Sequence, residues 1–211
     1  MKTNIKRSSQ LLAGVFSFLA ISGCSLLQPA AIPTPNFYAL EAVSPKTGHI
    51  APAKAPTLIV SPPHAAAGFD SQRMIYLREP YKLEHFAHSE WIEPPARMLA
   101  PLIVDAIVRS GAFRAVVLTP STAVADFRLD SEIIRLQQDF RTRPGTVRFT
   151  LRATLIDENT RRVVAWREFE ESVATSSEDP YGGVVAANRA LQMTLENLAN
   201  FAAATANQSQ R

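Results

Sequence analysis

The feature that most constrains this chain is its single cysteine, Cys24, which stands directly after a segment with the layout of an export signal. Residues 1–23 begin with basic side chains, continue with an apolar run over residues 11–21 and end in two small residues. That run is shorter than the roughly 20 apolar residues that a membrane-spanning helix needs. We therefore expect a signal peptide that is cut off after residue 23. With no second cysteine, the exported part must fold without an intramolecular disulfide.

The four residues that end the signal, Ile21, Ser22, Gly23 and Cys24, resemble a bacterial lipobox. In that motif an aliphatic residue and two small residues precede the cysteine whose thiol receives diacylglycerol. Small side chains let the extended backbone enter the processing enzymes, and the thiol sulfur becomes the thioether of the anchor. A lone cysteine is more often a small buried residue, but that alternative does not fit its place at the end of an export signal. We expect Cys24 to carry diacylglycerol and palmitate.

Residues 24–36 have the composition of a tether between the lipidated cysteine and a folded domain. The segment has no charged side chain and contains three prolines, so we expect it to be extended and to reach up to about 40 Å. In proteobacterial lipoproteins an aspartate after the cysteine tends to retain the protein at the inner membrane. Ser25 therefore predicts anchoring on the periplasmic face of the outer membrane. We place the domain itself at residues 37–205 and a polar tail at residues 206–211.

The basic isoelectric point of about 9.2 does not indicate a nucleic-acid partner. Three of the 22 basic residues, Lys2, Lys6 and Arg7, lie in the segment expected to be removed, which leaves 19 basic residues against 19 acidic ones. A neutral domain lacks the electrostatic attraction to phosphates on which nucleic-acid binding depends, and no dense run of Lys or Arg replaces it. We expect no nucleic-acid binding.

The pattern of apolar residues after the tether predicts an α+β domain. Long segments alternate between apolar and polar side chains, as strands with one buried face do. The predicted strands cover residues 37–40, 58–60, 74–77, 81–91, 113–118, 127–133, 147–155 and 163–169. Helical spacing predicts one helix from Pro95 to Gly111, with Pro101 inside it, and a second helix from Pro180. We expect a two-layer sandwich in which a mostly antiparallel sheet carries two amphipathic helices on one face.

Four segments of the chain occur in an order that resembles a known family. They are Phe37-Tyr38-Ala39-Leu40, Arg73-Met74-Ile75-Tyr76, Glu90-Trp91-Ile92-Glu93-Pro94-Pro95 and Ala125-Asp126-Phe127-Arg128-Leu129. Behind a lipobox, this set resembles the ABC-type transport auxiliary lipoprotein family across residues 37–205. The family pattern usually has alanine after the tryptophan, where this chain has Ile92. We infer no functional difference from that change.

The resemblance implies a function in transport between membranes. Members resemble the lipoprotein component of the paraquat-inducible (Pqi) system and accompany ABC transporters whose substrate-binding subunits carry MCE domains. Such systems move lipids between the two membranes. For this chain the resemblance implies an outer-membrane lipoprotein that docks on the periplasmic end of an MCE assembly, with a homo-oligomeric ring as one arrangement.

Four side chains are candidates for binding the partner. Trp91 offers a large amphipathic contact surface, although its place between a strand and a helix also fits a packing residue. Arg143, Arg148 and Arg152 have the chemistry to bind phosphate headgroups or an acidic partner, although outward-facing charges on a hairpin are more often only solvated. Both interpretations are open at the level of the sequence.

Nothing in the pattern indicates catalysis, a metal or a cofactor. His85 and His88 are three residues apart on a predicted strand, so their side chains point to opposite faces. No Gly-x-Ser-x-Gly motif or Gly-rich phosphate loop occurs. We therefore expect a non-enzymatic adaptor that positions a transporter against the outer membrane. Two alternatives are open: a periplasmic lipid-binding carrier with its own apolar cavity, and an envelope enzyme, which needs paired carboxylates in a cleft.

Overall fold

A computed structural model of the protein describes residues 34–42 and 51–209. The predicted signal peptide, Cys24 with its lipobox and most of the predicted tether lie outside the described residues. The strands within those residues are β1 (Asn36–Tyr38), β2 (Thr57–Val60), β3 (His64–Ala65), β4 (Arg73–Glu79), β5 (Lys82–Trp91), β6 (Ala115–Leu118), β7 (Phe127–Asp139), β8 (Thr146–Asp157) and β9 (Arg162–Ala174). The helices are α1 (Pro95–Ser110) and α2 (Pro180–Ser209).

The sheet is organised around β7, which has neighbouring strands along both of its edges. One edge of β7 pairs with β8, which is antiparallel to it over the length of both strands. The other edge pairs in turn with β2, β3 and β4, all parallel to β7. Beyond these, β6 pairs with β2, β5 pairs with β4, and β1 pairs with β5. On the opposite side, β9 pairs antiparallel with β8 and ends the sheet.

The α+β class is as expected, but the sheet is mixed, and the expectation of mostly antiparallel pairing holds only in part. The hairpin β4–β5 and the meander β7–β8–β9 are antiparallel, and five further pairings among the described strands are parallel. Alternation of apolar side chains shows which face of a strand is buried, but not the direction of its neighbour. Parallel neighbours need long connections, such as the one from β2 to β6, which contains β3, β4, β5 and α1.

Helix α1 begins and ends at residues that suit its termini. Pro95 occupies the first helical position, where a missing N–H costs nothing. Gly111 follows the last turn with a φ of 64°, and its N–H donates to the carbonyl of Val108 at 3.1 Å. Glycine adopts this left-handed conformation without a steric penalty. The helix packs against β6, β2 and α2, and buries Leu99, Ile103, Ala106 and Ile107.

Helix α2 packs against β8, β9 and α1 and closes the core. It starts after Asp179, whose Oδ1 accepts a hydrogen bond from the N–H of Gly182 at 2.7 Å and so caps the helix. The buried stripe is Val184, Ala187, Leu191, Leu195 and Leu198, as the sequence predicts. The helix continues to Ser209, beyond position 205, and Ala206 is still buried.

The inward side chains of the central strands and both helices form one apolar cluster. Phe149, Leu151 and Leu155 of β8 are each 1% exposed or less, and they alternate with polar residues on the outward face. Over the described part of the chain, neither helix combines the length and the hydropathy that crossing a bilayer requires. The architecture therefore leaves two kinds of surface for function: the outward face of the sheet and the sheet edges.

Candidate functional site

Trp91 lies in the core and is only 4% exposed. It is the last residue of β5, and its backbone N–H donates to the carbonyl of Gln72 at 2.8 Å. Its side chain lines a small cavity together with Leu136 of β7 and Ala187 of α2. The observed burial supports the packing interpretation of this residue, because a partner can touch the indole only after the sheet and α2 separate.

Arg148 and Arg152 project from the outward face of β8 and are occupied by carboxylates of the same sheet. Arg152 Nη2 lies 2.6 Å from Glu168 Oε1 on β9, and its Nη1 lies 3.4 Å from Glu132 Oε2 on β7. Arg148 Nη2 lies 2.7 Å from Glu170 Oε1. The hydrogen bond from Arg148 holds the pKa of the Glu170 carboxyl below its usual value. These ion pairs join neighbouring strands of the same sheet.

The remaining arginines of this face also lie close to carboxylates, but without hydrogen bonds to them. Arg128 Nε lies 3.0 Å from Glu158 Oε1, and Arg135 Nη1 lies 3.7 Å from Glu170 Oε1. Every arginine of β7 and β8 thus has a carboxylate partner. A phosphate headgroup or an acidic protein has to displace those partners before it gains an ion pair. The outward face is therefore a weak candidate for recognising an anion.

Arg143 is separate from the other two candidate arginines. It lies in the exposed turn between β7 and β8, next to the buried Gly145, whose N–H donates to Glu178 Oε1 at 2.7 Å. No carboxylate of the described residues pairs with Arg143. The structure therefore does not bring the three predicted arginines together into one anion site.

The cavity beside Trp91 is too small for a lipid chain. It has a volume of about 20 Å³ and is bounded by residues of β4, β5, β7, β8 and α2. Ligand pockets are commonly about 300–1,000 Å³, whereas this one has room for about one water molecule. The buried Oε1 of Gln138 at its wall has no hydrogen-bond partner within the protein. These dimensions do not favour the alternative of a lipid carrier with its own cavity.

The described residues include ionisable side chains of the kinds that a metal site needs. Among them, no group of three or more His, Cys, Asp or Glu side chains is arranged to hold a metal. The carboxylates with clearly lowered pKa values owe the shift to structural hydrogen bonds. For Asp126 these come from the backbone N–H and hydroxyl of Thr57, at 2.7 Å and 2.8 Å, which join the starts of β2 and β7.

A surface with exposed apolar side chains lies where β9 meets the C-terminal half of α2. Trp166 is 65% exposed and Val163 is 58% exposed, both on the strand that ends the sheet. Beside Trp166 an open groove of about 470 Å³ runs between β9 and α2. Its walls include Trp166, Arg167, Asn200, Phe201, Ala204 and Thr205. We call this surface, residues 162–167 of β9 with residues 200–208 of α2, the β9–α2 groove.

The floor of the β9–α2 groove is rigid. The ring of Phe201 is almost fully buried and packs edge-on against Phe169, with centroids 5.9 Å apart. The guanidinium of Arg167 lies 5.2 Å from the centroid of the Phe201 ring. Trp166 itself is opposite Thr154 and projects from the outward face of the sheet, at the edge of the groove. In the described chain β9 pairs only with β8, so its outer edge also leaves backbone groups free for another strand.

A run of apolar residues in the sequence indicates this groove. Residues 163–166, Val-Val-Ala-Trp, form a run of four apolar side chains inside a strand that otherwise alternates. One face of an edge strand cannot bury all four, and exposed runs of this length usually have a function. A break in period-two alternation on the last strand of a meander is thus a better indicator of a binding surface than an isolated tryptophan between elements.

Comparisons with known proteins agree with the fold and define the family. Over residues 38–199 the chain matches the family described as ABC-type transport auxiliary lipoprotein component. That match covers most of the chain, and the protein belongs to this family. No curated protein matches the chain in sequence.

Two solved structures resemble the fold closely. Protein XCC0632 from Xanthomonas campestris is 25% identical and superimposes with a TM-score of 0.70, over 83% of this chain and 99% of that one. An uncharacterized protein superimposes with a TM-score of 0.63 at 12% identity, over 79% of this chain and 97% of its own. The second likeness concerns the fold alone.

Proposed function

We propose that this protein is a non-enzymatic adaptor, anchored through a lipidated Cys24 to the periplasmic face of the outer membrane, that docks the MCE-domain subunit of an ABC transporter for lipids. The family description supports a transport auxiliary role. The lipobox supports the anchor, and Ser25 after it supports the outer membrane. The small cavity beside Trp91 supports docking rather than carriage of the lipid by this chain.

The observation that carries the proposal is the exposed Trp166 at the β9–α2 groove. A large, exposed aromatic side chain at the sheet edge beside a groove has the properties of an interface anchor, because burying it removes much apolar area from water at little entropic cost. The adaptor makes and breaks no covalent bonds. By holding one end of the transport machinery near the outer membrane, it raises the local concentration of that end at the acceptor bilayer.

Binding to the MCE-domain subunit encoded in the same genome tests the docking step. We expect Trp166→Ala to weaken the affinity about 30-fold, as the loss of an interface anchor does. Met193→Ala is the matched control, because Met193 is also apolar and 47% exposed but lies on α2 outside the groove. Both variants are measured by calorimetry with purified proteins. Equal affinities for the two variants contradict the proposed surface.

The anchor is tested separately, by mass spectrometry of the protein from its native host. We expect residues 1–23 to be absent and the mass of Cys24 to be increased by diacylglycerol and palmitate. A Cys24→Ser variant should be released from the outer-membrane fraction while its domain remains folded. A native protein with a free Cys24 thiol contradicts the anchor but leaves the docking surface untouched.

A further inference from the structure

The end of the sheet opposite the β9–α2 groove carries two projecting turns that lie side by side. The β4–β5 turn and the β7–β8 turn meet there, because the N–H of Phe140 donates to the carbonyl of Leu77 at 2.8 Å. Beneath them, the rings of Tyr76, Phe86 and Phe140 pack together with centroids 4.6–6.3 Å apart. We call residues 78–83 and 140–145 the tip. The aromatic cluster makes the tip a supported structure.

The β4–β5 turn presents Tyr81 in an unusual way. Tyr81 follows Pro80, has a φ of 65° and is fully exposed. After a proline, this position of a turn strongly favours glycine or asparagine, because a side chain is strained in the left-handed region. A bulky aromatic residue there contributes nothing to the core. Leu83, two residues further on, is 51% exposed. The turn therefore holds apolar surface in solvent at a cost to the fold.

The start of α2 adds a second exposed tyrosine to the same end. Gln138 Nε2 donates to the carbonyl of Asp179 at 3.3 Å, which holds the N-terminus of α2 next to the end of β7. Tyr181, in the first turn of α2, is 61% exposed. Two tyrosines and a leucine thus project around the tip, and none of them is needed for internal packing.

The tip carries both acidic and basic side chains, and two of its arginines form no ion pair with the described residues. Lys82 is within 3.4 Å of Glu79 and 3.9 Å of Glu84, and Arg141 is within 2.6 Å of Asp139. Glu178 and Asp179, just before α2, add two exposed carboxylates to this end, and they accept hydrogen bonds from the N–H groups of Gly145 and Gly182. Two guanidiniums are left over. Arg78 lies over the ring of Tyr76 at 4.9 Å, and Arg143 is exposed in the β7–β8 turn.

The first strand of the domain lies beside the end of β5 that is far from the tip. β5 starts at the tip with Lys82 and runs away from it, and β1 is parallel to β5, with Asn36 opposite Ser89. The entry is held firmly. The N–H of Ile92 donates to the carbonyl of Tyr38 at 2.7 Å, and the N–H of Glu41 donates to Asn188 Oδ1 at 2.7 Å. β1 therefore points away from the tip and pairs with the last three residues of β5.

We propose that the tip binds the lipid surface to which the protein is anchored. This inference rests on the proposed anchor at Cys24. Tyrosine is enriched at the level of lipid headgroups, where its ring meets the acyl boundary and its hydroxyl meets water. Arg78 and Arg143 attract the phosphates of anionic lipids. Because one lipid-modified residue leaves a domain free to tumble on its tether, tip binding fixes the orientation. The β9–α2 groove then faces away from the bilayer.

The test uses the mature lipoprotein in vesicles of phosphatidylethanolamine and phosphatidylglycerol. A lipidated Cys24 leaves no free thiol, so a single nitroxide label can be placed at Thr142→Cys on the tip or, as the matched control, at Asn159→Cys in the β8–β9 turn. Both positions are exposed. At position 142 we expect collisions of the label with a water-soluble nickel complex to fall several-fold and collisions with oxygen to rise. At position 159 we expect neither collision rate to change. Adding Tyr81→Ser should restore most of the water access at position 142.

Two outcomes overturn the inference, and they are distinguishable. The first outcome is that labelling of the unsubstituted protein detects a free Cys24 thiol, which removes the anchor on which the inference rests. Equal water access at positions 142 and 159, in a protein without a free thiol, overturns tip binding while the anchor and the docking function stand. Loss of the effect in vesicles of phosphatidylcholine alone identifies the anionic headgroup as what the arginines bind, and supports the inference.

Discussion

The tip and the β9–α2 groove occupy opposite ends of one sheet and present their apolar side chains differently. At the tip, single residues project from turns that polar contacts hold in place, such as the bond from the N–H of Gly145 to Glu178. At the groove, a concave surface lies beside a strand edge without a partner, and Trp166 stands at its rim. Projecting residues suit a flat, soft surface such as a bilayer. A groove with a free strand edge suits a shaped protein partner.

We expect the largest loss of stability when the aromatic floor of the groove is removed. Phe201→Ala removes a buried ring that packs on Phe169, and we expect it to lower the free energy of unfolding by about 3–5 kcal/mol. The measurement is urea denaturation of the mature chain. A loss below about 1 kcal/mol would show that the groove has no rigid floor.

At the tip, the close approach of α2 to the preceding loop allows no side chain at Gly182. An added Cβ there meets the backbone carbonyl and nitrogen of Ser177, which cannot move without breaking the turn before the helix. We expect Gly182→Ala to cost about 1–3 kcal/mol, as overpacking does. Ala186→Gly, in the helix interior, is a useful comparison, because its cost comes from propensity and lost burial rather than from a clash. Unchanged stability of Gly182→Ala would contradict the described packing.

The cap of α2 should make the stability of the tip depend on pH. The N–H of Gly182 and the hydroxyl of Ser177 lower the pKa of Asp179 in the folded protein. A lowered folded pKa means that the stabilisation is present above the unfolded pKa of about 3.9. It is lost as the pH falls through the lower folded value. We expect Asp179→Ala to cost about 1 kcal/mol at pH 7.

Asp179→Asn separates the cap from its charge. Asparagine also caps helices, so this variant should stay close to the unsubstituted protein at pH 7. It should lose less stability than that protein when the pH falls below 4. Thermal unfolding at a series of pH values gives both results. Identical pH profiles for the two proteins would mean that the carboxylate of Asp179 does not titrate with folding.

The ion pairs of the outward face should contribute little to the free energy of unfolding, which distinguishes that face from the tip and from the groove. A double-mutant cycle between Arg152 and Glu168, each replaced by alanine, should give a coupling of about 0.2–1 kcal/mol. The coupling should decrease in 1 M salt, because both side chains are partly exposed. A larger, salt-independent coupling would show that these ion pairs stabilise the fold and are not merely solvated.

Trp166 should show the smallest effect on stability. Because the indole is largely exposed, we expect Trp166→Ala to change the free energy of unfolding by less than about 0.5 kcal/mol. Phe201, which lines the same groove, is the buried counterpart. A large loss of stability in Trp166→Ala would assign the residue to the fold instead of to a partner.

Much of this fold was predictable from local sequence rules. Strict alternation located β7 and β8, whose inward residues are buried as expected. Prolines and Gly111 marked the limits of α1. The parallel pairings were not predictable, because β2, β3 and β4 reach β7 through long connections that contain no information on direction. The two-residue strand β3 has no periodicity at all.

The candidate site was less predictable than the fold. Arg148 and Arg152 alternate outward as the sequence indicates, but their partners Glu168 and Glu170 follow from the register between β8 and β9, which no local pattern contains. The binding residues predicted from the sequence do not include Trp166. Its exposure follows from the position of β9 at the edge of the sheet.

Hydrogen exchange of the mature protein, with and without the purified MCE-domain subunit, tests the central claim most directly. If the β9–α2 groove is the docking surface, binding should slow amide exchange in residues 162–167 and 200–208 and leave the tip unchanged. Protection confined to the tip, or to the ion-paired face of β7 and β8, would contradict the account.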